Sequence, residues 1–69
     1  MSNVYAVVVV SARKVFSADY VTGTRKEAIA HGINNADRWA KGLKRVQVRV
    51  SEVNENLDTI GQVYVHDLG

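Results

Sequence analysis

The sequence predicts an α+β fold: a two-layer sandwich of order β-β-α-β-β, in which a four-stranded antiparallel sheet carries one helix on one face. Three observations predict it. Residues 4–11 form a β-branched apolar run, the pattern of a strand buried on both faces. A single stretch, Thr24 to Gly42, has helical periodicity and opens on a capping box. Two later segments, 46–51 and 60–68, alternate apolar with polar residues as half-buried strands do. With 69 residues, 46% of them hydrophobic, 23% charged and none proline, the chain is expected to fold over residues 1–69 as one domain around one core.

Each element has its own justification. In Val4–Ser11, Tyr5, Val7 and Val9 point one way and Ala6, Val8 and Val10 the other, so both faces are apolar and the strand is central. After a polar turn at Ser11–Lys14, Val15 to Val21 sets Phe16, Ala18 and Tyr20 against Ser17 and Asp19, which reads as the hairpin partner. Thr24-Arg25-Lys26-Glu27 is the capping box: the threonine hydroxyl accepts from the Glu27 N–H while the carboxylate reaches back to the cap. Ile29, Ile33, Ala36, Ala40 and Leu43 then form an apolar stripe opposite Glu27, Asn34, Arg38 and Lys41, and Gly42 stops the helix. Gly32 sits beside the stripe and lets the helix approach the sheet closely. Trp39, at the stripe's edge, reads as a lid on the core. Val46, Val48 and Val50 face inward and Gln47, Arg49 and Ser51 outward. Residues 54–58 have loop composition, and Ile60–Leu68 returns as the hairpin partner, alternating Val63 and Val65 with Gln62, Tyr64 and His66, with Gly61 at a bulge.

The inventory for catalysis is thin. The absence of cysteine removes disulfides, thiolate metal cages and a cysteine nucleophile. The two histidines lack metal-ligand spacing, and neither a nucleophile elbow nor a glycine-rich phosphate loop is present. His31, four residues after Glu27, suits a helix-surface pair better than an acid–base dyad. His66 and Asp67 are adjacent and would point to opposite faces of a strand. The expectation is a protein that is not an enzyme, with no catalytic residue, no metal and no cofactor. No basic region precedes Val7–Val10 and no cleavage site follows it, so no signal peptide is expected. No apolar run nears the roughly 20 residues that span a bilayer, so the expected location is the cytoplasm, away from membranes.

Binding is the better-supported kind of function. If Val46, Val48, Val50, Val63 and Val65 face the helix, then Gln47, Arg49, Gln62, Tyr64 and His66 share the open face with Ser51, a set of aromatic, Arg and amide groups suited to a partner protein or protein complex. That face and the outer row of the first strand are also expected to drive homodimerisation. An alternative follows from charge. Nine Lys/Arg and three acids lie between Arg13 and Arg49, whereas four acids and no Lys or Arg follow from Val50 on. Should Arg13, Lys14, Lys44, Arg45 and Arg49 converge, they would form a basic patch for nucleic acid, with Tyr5 or Tyr64 stacking on bases; should they not, they are an ordinary solvated surface.

The order β-β-α-β-β, the helix start at Thr24, Glu27 and Ala28, Trp39 near the helix end, then Gly42, Val48 and Arg49, resembles small phage-encoded inhibitors of host machinery, in layout the coliphage inhibitors of host RNA polymerase and small anti-CRISPR proteins. The resemblance implies a phage or mobile-element inhibitor that occupies a host protein in the host cytoplasm. It also implies functional arginines on the third strand, where Arg49 matches and Gln47 departs. The acidic helix entry of the polymerase inhibitors is replaced here by Arg25 and Lys26.

Overall fold

A computed structural model describes residues 3–12 and 14–68 of the chain. It contains β1 (Asn3–Ser11), β2 (Lys14–Gly23), α1 (Arg25–Trp39), β3 (Val46–Val53) and β4 (Thr59–Asp67). The four strands form one sheet of order β2-β1-β3-β4, antiparallel throughout. With one helix on one face, this is the predicted α+β sandwich.

The core follows the predicted alternation of the two central strands. Tyr5, Val7 and Val9 of β1 and Val46, Val48 and Val50 of β3 are buried on the helix side, with Val9 opposite Val48 and Val7 opposite Val50. Beyond them, the buried Ser11 hydroxyl donates 2.6 Å to the Lys44 carbonyl, tying the end of β1 to the turn before β3 and satisfying a polar group that would otherwise destabilise the core.

The capping box forms as expected. Glu27 N–H donates to Thr24 Oγ1 at 3.2 Å, and Thr24 N–H donates to the Glu27 carboxylate at 3.3 Å. Because Glu27 is held there, His31 does not pair with it; His31 reaches Asp19 on β2 instead, at 3.2 Å.

The helix is rotated from the predicted stripe. Its buried positions are Ala28, Gly32 and Ala36, followed by Ala40, whereas Ile33 and Leu43 are exposed. The cause is the close approach at Gly32: a Cβ there would fall against Val48 Cγ1 and lie 2.8 Å from Val7 Cγ1. A line of small residues four apart is the one face that permits this spacing, so it wins over the bulkier isoleucine stripe. Trp39 is 60% exposed and is not a lid. It lies four residues after Asn35, whose side chain points to β2, so the helix turns it towards that flank and then ends.

Two irregularities interrupt the ladders, and the first changes which side chains face the helix. In β1–β2, Val9 pairs with Ser17 but Val10 with Val15, leaving Phe16 as the extra residue of a bulge. Phe16 packs against the core, while Val15 and, further on, Ala18 and Tyr20 share the open face with Val10, Val8 and Ala6. The predicted common face of Phe16, Ala18 and Tyr20 is therefore broken at Phe16. In β3–β4, Val53 pairs with Thr59 but Ser51 with Val63, so β4 carries two extra residues, Ile60 and the predicted bulge glycine Gly61, whose φ is +88°.

Candidate functional site

The register of the β3–β4 hairpin decides the site, and the two-residue insertion leaves the facing unchanged. Opposed residues in an antiparallel ladder lie on the same face. Arg49 opposes Val65 and Ser51 opposes Val63, whereas Val48 opposes His66 and Val50 opposes Tyr64. Val63 and Val65 thus belong to the open face, and Tyr64, His66 and Gln62 to the helix side. The expectation of one surface containing Gln47, Arg49, Gln62, Tyr64 and His66 is corrected: the structure brings Gln47 and Arg49 together and separates them from the other three. Alternation within β4 was read correctly, but the side it presents depends on the hairpin register.

The helix did not prevent this outcome because it does not cover β4. A helix is about 10 Å wide and strands lie about 4.8 Å apart, so one helix shields little more than two strands. It packs on β1, β2 and β3, and among the described residues no Cα of α1 lies within 8 Å of one in β4. Arg25 bridges the gap, its guanidinium carbon 4.3 Å from the Tyr64 ring centroid, a cation–π contact. β4 is consequently exposed at every residue except the half-buried Tyr64.

The open face is an apolar sheet crossed by one polar chain. Val15, Tyr20, Val63 and Val65 are each about half exposed, flanking the partly covered row Ala6, Val8 and Val10. Between them Arg49 Nη2 donates 3.2 Å to Gln47 Oε1, and Gln47 Nε2 donates 2.8 Å to Asp67 Oδ1. The chain orients Arg49 while leaving most of its five N–H donors free for a partner. Val10, Ala12, Val15, Arg45, Gln47 and Arg49 line a shallow concavity at one end of this face.

The proposed basic set is only partly assembled. Arg45 and Arg49 share that concavity, and Lys44 is exposed in the turn before it. Lys14 lies opposite the buried Ser11 and places its ammonium 5.3 Å over the Phe16 ring, on the helix side. Arg13 lies outside the described residues. Tyr5, proposed for base stacking, is buried in the core.

One polar cluster joins the helix to β2. Asn35 Nδ2 donates to Asp19 Oδ2 at 2.7 Å and to Ser17 Oγ at 3.2 Å, and His31 Nε2 lies 3.2 Å from the same Asp19 oxygen. The His31 hydrogen bond, then that of Asn35, holds the Asp19 carboxyl below its ordinary pKa. Among the described residues no group of three His, Cys, Asp or Glu side chains is placed to hold a metal, and no helix is long and apolar enough to cross a membrane. Sequence reasoning missed Val15, Tyr20, Val63, Val65 and Asp67 as members of the open face; the Phe16 bulge that puts Val15 there and the pairing of Val53 with Thr59 that sets the side of β4 leave little trace in the pattern. No family model matches the chain, and no curated protein or solved structure matches it either.

Proposed function

We propose that this chain is a non-enzymatic protein-binding module that covers a surface of another protein with the open face of its sheet, in the manner of small phage-encoded inhibitors of host complexes, with the host cytoplasm as its place of action. One observation carries the reading: exposed valines and a tyrosine surround a single oriented arginine on the face of the sheet that the helix leaves open. Contiguous apolar surface around an Arg anchor is the composition of a protein interface core, where large side chains exclude water and the guanidinium supplies directional hydrogen bonds.

The test is affinity capture from a bacterial lysate with three folded baits: the wild type, Arg49→Ala and Val63→Glu. The reading expects one protein retained by the wild type and lost by both variants. Retention by all three baits would refute the open face as the contact surface. A second reading, nucleic-acid binding, is supported by Arg45 and Arg49 sharing one concavity. It predicts affinity for single-stranded DNA that falls steeply with salt, with a slope that flattens on losing each phosphate contact; a flat salt dependence would eliminate it.

A further inference from the structure

The two edges of the sheet are not alike. The β2 edge begins with Lys14, carries the Phe16 bulge, and has Ser17 and Asp19 engaged by the helix, all of which discourage a further strand. The β4 edge has none of these guards over its regular part. From Val63 to Asp67 its pairing with β3 is regular, and from Gln62 to His66 it is free of lysine and proline and rich in β-formers. Its only acid nearby, Asp67, is already engaged by Gln47. A row of unpaired backbone N–H and C=O groups on such a strand is a template for another strand.

The β4 sequence is matched to itself. In an antiparallel pair related by a two-fold axis at Tyr64, Val63 opposes Val65 on the open face, while Gln62 opposes His66 and Tyr64 opposes Tyr64 on the helix side. Asp67 falls against Gly61, so no like charges meet. Moving the axis to Val65 sets Asp67 against Val63, and moving it to Val63 sets Val65 against Gly61; each keeps one valine pair in place of two. From this self-complementarity we infer that the chain pairs with a second copy of itself, β4 to β4 about Tyr64, to form a continuous eight-stranded sheet. The same axis, perpendicular to the sheet, keeps both helices on one side. Gln62, Tyr64 and His66 of both copies then floor a trough between the helices, with Arg25 at its rim. Because the contact is isologous and the β2 edge is guarded, assembly closes at two copies. This relocates the homodimer expected on the open face to the sheet edge and leaves the open face free for the partner proposed above.

The lack of cysteine makes single-cysteine variants clean probes. Across the axis, opposed Cα atoms are about 4.5–5.5 Å apart, within disulfide reach, whereas residues two positions from the axis meet their own copies at about 13 Å, beyond it. Tyr64→Cys is expected to cross-link under mild oxidation, and Gln62→Cys mixed with His66→Cys to cross-link only as the 62–66 heterodimer. Tyr64→Lys, which opposes two ammonium groups, is expected to weaken dimerisation at least about tenfold by light scattering while leaving the circular dichroism unchanged. A monomeric wild type at about 100 µM would overturn the inference, since a pair with a Kd of about 10 µM or tighter is mostly associated there. So would cross-linking of Val8→Cys, on the open face, in place of Tyr64→Cys. Neither result touches the Arg49→Ala arm of the lysate test, because Arg49 lies on β3 away from the paired edge, whereas Val63 belongs to both surfaces.

Discussion

Seven valines divide this small sheet into two regions. Val7, Val9, Val48 and Val50 are wholly buried beneath the helix, whereas Val15, Val63 and Val65 remain 58%, 46% and 50% exposed. Side chain and secondary structure are the same in both groups. The difference is position relative to one 15-residue helix, which shields the middle of the sheet from one side only. The covered region therefore has stability as its main physical role, and the uncovered region retains apolar surface that contributes little until something binds it.

Substitutions that separate these regions should rank accordingly. The largest expected effect is Val48→Ala, about 2 kcal/mol of lost stability in urea unfolding, because the lost transfer energy is joined by a cavity beneath the helix. Gly32→Ala should follow at about 1–2 kcal/mol: overpacking against Val48 and Val7 outweighs the gain in helix propensity. A stabilised Gly32→Ala protein would mean that the helix stands further from the sheet than described. Val65→Ala and Arg49→Ala should each change stability by less than about 0.5 kcal/mol, as exposed substitutions usually do; if either unfolds the protein, the assignment of the two faces is inverted.

The smallest expected effect lies at the seam between helix and β2. Asp19 has a lowered pKa in the folded protein, so its contribution is present above the ordinary carboxylate range and is lost as the pH falls through that range towards the depressed value. Asp19→Asn should flatten the loss of stability as the pH falls through and below the ordinary carboxylate range, relative to the wild type. Parallel curves for the two proteins would show that the His31 and Asn35 contacts add nothing in solution.

The covered region was legible in the sequence because burial writes itself into periodicity. The β-branched run of β1, the valines of β3 and the Thr24–Glu27 cap all stand where the pattern puts them. The helix face was misjudged because hydrophobicity favoured Ile33 and Leu43, whereas the packing distance favoured Gly32 and its alanine neighbours. The candidate surface was half legible for a related reason. Alternation fixes which residues of β4 stand together, but the hairpin register, set where Val53 pairs with Thr59, fixes the side they face, and the two-residue insertion of Ile60 and Gly61 preserves it; no helix above β4 selects against exposed valines.

The exposure of Trp39 has a spectroscopic consequence. It is the sole tryptophan, and at the end of α1 its indole is solvated in the folded state much as it would be in the denatured chain. Intrinsic emission should therefore shift little on unfolding, and a denaturation curve followed at that wavelength would be nearly flat while circular dichroism reports the transition. The same indole would respond to any macromolecule that settles over the helix end, so fluorescence in this protein is a reporter of company rather than of folding.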